Sequence, residues 1–142
     1  MKRVFALALI AGLAFAAGAL AAEKGVASAA SELKWTDNPA MKGAQQSVLW
    51  GDPAKGAYGS FKKIPAGTAL GMHTHAHDQK AILISGTLEF NFEGEAKKEL
   101  GAGSYVSIPG GAPHDATCKA GADCVYFEES VGAADFKPVT KK

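Results

Sequence analysis

The sequence lacks an excess of charge of either sign. Its 15 basic residues stand against 14 acidic ones, a formal net charge of +1. No basic stripe is present to neutralise a phosphate backbone, so nucleic acid is not an expected partner. No amphipathic basic helix is visible, so the mature chain is not expected to lie on a membrane surface. Cysteine is scarce: there are only Cys118 and Cys124, and two thiols with no third nearby make a poor structural zinc site. Helical periodicity is missing too, since no long stretch spaces its apolar residues at three and four. A chain of 142 residues has room for one domain rather than two.

The long uncharged run stands at the start. Lys2 and Arg3 precede Val4–Ala22, which is short and rich in Ala and Gly for a membrane span. The run ends in Ala19-Leu20-Ala21, a small-x-small exit. A basic start, an apolar middle and a small-residue end predict a secretory signal over residues 1–21, cleaved near Ala21, with a retained anchor as the alternative. The mature chain is then periplasmic or secreted, and near neutral once Lys2 and Arg3 are gone. Export places Cys118 and Cys124 in an oxidising compartment, where the pair is expected as a disulfide across the short Lys119–Asp123 turn, stapling a hairpin.

Residues 22–34 read as a flexible leader, 35–136 as the folded domain, and 137–142 as a frayed C-terminal tail. Within the domain, Gly and Pro punctuate short strand candidates at Ser47–Trp50, Tyr58–Ile64, Ala69–His75, Gln79–Ser85, Thr87–Glu93, Tyr105–Ile108, His114–Cys118 and Cys124–Ser130. Short strands at regular spacing predict an all-β sandwich or barrel. Ala81-Ile82-Leu83-Ile84 is apolar on both faces, as in a strand covered on both sides. Ser85-Gly86 reads as a tight hairpin turn in which Gly86 takes positive φ. Phe90, Phe92, Tyr58 and Phe61 are read as packing residues, and Trp35 and Trp50 as covers for a barrel edge or end.

The four histidines fall in two places: His73-Thr74-His75-Ala76-His77, and His114 after Pro109-Gly110-Gly111-Ala112-Pro113. Residues two apart on a strand share a face, so His73 and His75 can both point inward. His114, on another strand, meets them only through folding. Three imidazoles with open positions suit a catalytic-type site for one divalent ion, with iron, zinc, manganese, nickel and copper all eligible.

These residues resemble the two motifs of the cupin superfamily. The first motif runs Gly, five residues, His-x-His, three or four residues, Glu, six residues, Gly; here Gly67, His73, His75 and Gly86 fit it, with Gln79 where Glu usually stands. The second runs Gly, five residues, Pro-x-Gly, two residues, His, three residues, Asn; here Gly103, Pro109, Gly111 and His114 fit it, with Cys118 in place of Asn. The resemblance spans roughly residues 47–130. It implies a double-stranded β-helix, or jelly-roll barrel, with His73, His75 and His114 as metal ligands and Gln79 as a weak fourth. It also implies a small-molecule substrate and chemistry of dioxygenase or metal-assisted acid–base type. The alternatives are a periplasmic module that binds or senses a small ligand or metal without turnover, and a purely structural barrel.

Other candidates are weaker. His77 continues the alternation and is read either as an acid–base group at the pocket mouth or as a solvated loop residue. Asp78 and Asp115 flank the ligands and are candidates to orient an imidazole from behind, or else stabilise turns. Tyr126 and Glu128 share one face of the last strand. If that face points inward they are candidates for substrate contact or proton transfer; if outward, Phe127 lines the barrel instead. Exposed edges, together with the habit of cupins of this size, lead to an expected homodimer.

Overall fold

The structure is a computed structural model, and residues 24–140 are described. The predicted signal segment, residues 1–21, lies outside them. A single 3-10 turn, Ala30–Glu32, precedes eleven strands: β1 (Thr36–Asp37), β2 (Gln45–Gly51), β3 (Tyr58–Ile64), β4 (His73–Thr74), β5 (Gln79–Ser85), β6 (Leu88–Phe92), β7 (Lys98–Leu100), β8 (Tyr105–Ile108), β9 (His114–Cys118), β10 (Cys124–Ser130) and β11 (Lys137–Pro138). They form a six-stranded sheet in the order β1-β2-β3-β10-β5-β8 and a five-stranded sheet in the order β11-β4-β9-β6-β7, with every pairing antiparallel. The fold is the all-β jelly-roll barrel expected from the sequence.

Alternation sets what lies inside. Along β9, His114, Ala116 and Cys118 are buried while Asp115 and Thr117 are not. Along β3, Tyr58, Ser60, Lys62 and Ile64 turn inward. Apolar side chains from both sheets, including Ile64, Leu83, Leu88, Phe90, Ile108 and Ala116, meet between them. Fully burying one such aliphatic side chain contributes roughly 1.5–3 kcal/mol.

Several local expectations are corrected. Ser85-Gly86 is not a hairpin turn, because β5 and β6 belong to different sheets. Gly86 does take φ 80°, and it does so at a corner where the chain crosses between sheets. Cys118 and Cys124 are disulfide-bonded with Cα atoms 5.8 Å apart, yet they join β9 of one sheet to β10 of the other rather than stapling a hairpin. The Ala69–His75 strand shrinks to His73–Thr74, with an isolated bridge between Ala69 and Thr117; Gly71, at φ 74°, breaks the extended run between them. Ile82 and Ile84 are not covered on both sides, since their outer face is open and they remain 45% and 46% exposed. Lys137–Pro138 is not frayed. It pairs with His73–Thr74, and Val139 donates its N–H to the Met72 carbonyl at 2.9 Å. This covers the edge that β4 would otherwise leave unpaired. Trp35 lies under the Lys63 ammonium, 4.2 Å from ring centre to Nζ. Trp50 lies flat over Gly59 on the outer face of the sheet rather than across a barrel end.

Candidate metal centre

His73 on β4 is the direct cross-strand partner of His114 on β9. That register turns residues 41 apart in sequence into neighbours, and the extended chain after β4 brings His75 beside them. The ring centroids are 4.2 Å apart for His73 and His114, 5.0 Å for His73 and His75, and 5.2 Å for His75 and His114. One nitrogen from each ring lies within 4.8 Å of the others, and all three residues are buried.

The tautomers are set by the main chain. His73 Nδ1 faces the Gly71 carbonyl at 2.7 Å, His75 Nδ1 the Asp135 carbonyl at 2.6 Å, and His114 Nδ1 the Ala112 carbonyl at 2.9 Å. A carbonyl only accepts, so a neutral ring donates its Nδ1–H there and keeps its lone pair on Nε2. Burial lowers the pKa of His73 to about 4; the Gly71 hydrogen bond opposes the shift and the other two imidazoles reinforce it. His114 is lowered as well, chiefly by burial. Three imidazoles whose Nδ1 atoms are engaged by carbonyls, leaving Nε2 to coordinate, are the donor set a divalent metal requires, so the residues fit a metal.

The backbone carbonyls occupy the positions suggested for Asp78 and Asp115, and neither carboxylate orients an imidazole. Asp78 instead accepts the Gly110 N–H at 2.7 Å, tying the first histidine segment to the loop that leads into His114. Asp115 sits on the other face of β9 from His114, and its buried Oδ1 has no hydrogen-bond partner among the described residues. The His77 ring is exposed, packs on Gly132 and does not line the cavity. Gln79 does line it, buried at the start of β5. The parity question at β10 resolves inward: Tyr126 and Glu128 face the cavity, and Phe127 faces out. Burial, with Glu128 nearby, raises the Tyr126 phenol well above its ordinary range, so it stays protonated.

Two groups of residues went unrecognised in the sequence. Asp135 supplies the His75 carbonyl, and its carboxylate accepts the Ala76 N–H at 2.9 and 3.1 Å. Beside it, Phe136 stacks on His73 with centroids 4.2 Å apart. The second group is a polar wall on the inner face of β2 and β3. Tyr58 donates its hydroxyl to Glu128 Oε1 at 2.5 Å, and Lys62 donates to Gln46 Oε1 at 2.9 Å. The Lys62 ammonium also lies 3.7 Å from Glu128 Oε1, with both side chains buried. Burial lowers the Lys62 pKa against the opposing pull of Glu128, and burial with Glu128 nearby raises that of Tyr58. Both contacts fall on Oε1; Oε2 accepts no hydrogen bond among the described residues. A buried ion pair is weak evidence for stability; of this wall only Glu128 reaches the histidine cavity, and Tyr58 and Lys62 stand behind it. That cavity has a volume of about 50 Å³, with the three histidines, Gln79, Tyr126 and Glu128 at its polar side and Leu70, Leu83, Phe90 and Val106 among its apolar walls.

Residues 18–134 match the family described as Domain of unknown function (DUF4437). The chain belongs to this family. No curated protein sequence matches this DUF4437 chain. Among solved structures it is similar to KdgF from Halomonas sp., at 25% identity and TM-score 0.59, covering 72% of this chain and 92% of that one. It is similar to an RmlC-like cupin from Shewanella frigidimarina, at 21% identity and TM-score 0.58, covering 73% and 88%. It is also similar to the polyketide cyclase RemF from Streptomyces resistomycificus, at 16% identity and TM-score 0.67, covering 84% and 88%. The DUF4437 domain here therefore has the cupin fold.

Proposed function

We propose that this chain is an exported, metal-dependent enzyme that moves a proton on a small organic molecule. The observation that carries the reading is the pairing, in one cavity, of three imidazoles with free Nε2 atoms and a carboxylate with a free Oε2. His73, His75 and His114 would hold the metal, with Gln79 as a weak fourth partner through its amide oxygen. When bound, the metal supplies a positive centre that polarises a substrate oxygen and stabilises charge developing on it.

The chain's own residues do the rest. Glu128 takes or returns a proton through Oε2, while Tyr58 and Lys62 fix the carboxylate through Oε1. Tyr126 donates a hydrogen bond to the substrate. The apolar walls exclude water, and a cavity of about 50 Å³ selects a ligand of few atoms or one that projects a small group inward. With neutral protein ligands only, the metal keeps its full charge, which favours an anionic or oxygen-rich substrate. Glu128 favours acid–base chemistry over a purely oxygen-dependent reaction, because a proton acceptor stands ready in the cavity. The basic start, the apolar run and the Ala19-Leu20-Ala21 exit support the export part of this reading.

The test is hydrogen–deuterium exchange by NMR across a panel of small hydroxy- and keto-acids, run alongside oxygen uptake. Metal-loaded protein should catalyse exchange on some member, and Glu128→Gln should lose that activity while keeping the metal. Oxygen consumption without exchange would assign dioxygenase-type chemistry instead. Tight reversible binding with neither activity would favour the non-catalytic binding module, which the replacement of a ligand carboxylate by Gln79 also supports.

A further inference from the structure

The barrel has a seam. β7 and β8 follow one another in the chain, yet they are outermost strands of different sheets and do not pair. The loop between them is drawn to β5 instead: Gly103 donates its N–H to the Leu83 carbonyl at 2.7 Å, and Leu83 donates to the Ser104 carbonyl at 2.9 Å. Among the described residues, each of these two strands therefore has one edge with no strand against it. A space of about 140 Å³ lies at this seam, with Phe90, Phe92, Ala96, Leu100, Tyr105 and Val106 among its walls. The exposed Glu95, Lys98 and Ser107 stand at its rim.

Phe90, Leu100 and Val106 also line the cavity at the three histidines, so the two spaces share three walls. Phe90 is the link between them. Its ring lies against His114, with centroids 5.6 Å apart and planes at 30°, and meets Phe92 edge-on at 5.2 Å. The histidine cavity is thus polar at one end and apolar at the other. Past its polar end, beyond Gln79 and Glu128, a space of about 10 Å³ is lined by Tyr58 and Lys62 as well; that is room for about one water. The seam space is far larger, close to the roughly 150 Å³ that admits benzene in an apolar cavity.

We infer that the seam space is a binding subsite for an apolar substituent, a short alkyl chain or a single aromatic ring, on a substrate whose oxygen-bearing head lies at the histidines. The inference rests on the function proposed above and names the substrate class of that site. A ligand with its head at His73, His75 and His114, facing Glu128, has its other end at Phe90, Leu100 and Val106. Apolar atoms gain there by leaving water, and the few polar groups at the opposite end fix the orientation. The cavity houses the reacting atoms, and the seam houses what they carry. A hydroxy- or keto-acid without such a substituent leaves the seam to water and gains nothing from it.

Two measurements test the subsite, the first without a metal. Methyl NMR of the metal-free protein should show the Leu100 and Val106 signals shifting as toluene is added. Ala96→Trp, at an exposed position that lines the seam space and not the histidine cavity, should remove those shifts. Cobalt(II)-loaded protein is then titrated with acetate, butyrate and phenylacetate, read by the visible absorption of the ion. Butyrate and phenylacetate should bind at least tenfold tighter than acetate, since each buried methylene contributes roughly fourfold. Ala96→Trp should abolish that preference and leave acetate binding unchanged. Toluene that shifts neither methyl set overturns the inference. So does butyrate that binds cobalt-loaded protein no tighter than acetate. A protein that takes up no cobalt yet shows the toluene shifts contradicts the metal reading and upholds the apolar subsite.

Discussion

Lowering the pH should destabilise the metal-free protein in a window set by its buried histidines. The folded pKa of His73 is about 4 against an ordinary 6.5, with burial as the main cause. Between those values the unfolded chain binds a proton that the folded chain excludes, so stability falls as the pH falls. Well above 6.5 the contribution is fully present; it is lost as the pH drops towards about 4. One proton changes stability by about 1.4 kcal/mol per pH unit, so His73 alone should remove about 2 kcal/mol between about pH 7 and pH 4.5. His114, lowered in the same direction, adds to the loss. The depressed carboxylates Asp52, Glu89 and Asp135 respond at lower pH, which is why the series stops near 4.5. The assay is urea denaturation of chelator-treated protein at several pH values, with His73→Leu as a control that should reduce the dependence to the part His114 contributes. A wild-type midpoint that does not move across the window would refute the reasoning, because the imidazole would then be free to charge in the folded state.

Other outcomes follow from single contacts. Replacing Cys118 and Cys124 by Ser should cost about 2 kcal/mol by the loop-entropy relation, read as a lower urea midpoint, since the bond closes only a six-residue separation. Gly86→Ala should cost about 1–3 kcal/mol: its φ is positive, and a Cβ would stand 2.7 Å from the Asp123 carbonyl oxygen, so main chain must move. Asp135→Ala should loosen the segment that holds His75 and weaken metal binding by about tenfold or more, measured by competition with a chromogenic chelator.

Much of the fold was legible because the longer strands obey alternation. Tyr58–Ile64, Gln79–Ser85, Tyr105–Ile108, His114–Cys118 and Cys124–Ser130 carry the boundaries read from their turn residues. β1, β7 and β11 were not legible: strands of two or three residues exist because a partner edge is there to pair with, and their own sequences carry too few positions to show a period. Ile82 and Ile84 show the limit of hydropathy, since an apolar side chain reports that a face is dry somewhere and not whether this chain covers it. The pairing of His73 with His75 was readable from strand spacing, and His114 joined them through the resemblance to the two cupin motifs. The wall behind them was not readable, because Lys62-Lys63 gives no parity and a lysine reads by default as solvated. Asp135 and Phe136 act across 60 residues of chain, where no local pattern reaches.

The central claim is that three imidazoles share one metal ion inside the barrel, and metal content measures it most directly. Elemental analysis of protein purified from the export compartment should find about one divalent ion per chain, absent from His73→Ala, His75→Ala and His114→Ala alike. Wild-type protein that carries no metal and takes up none on titration would contradict the account, as would metal binding that survives all three substitutions.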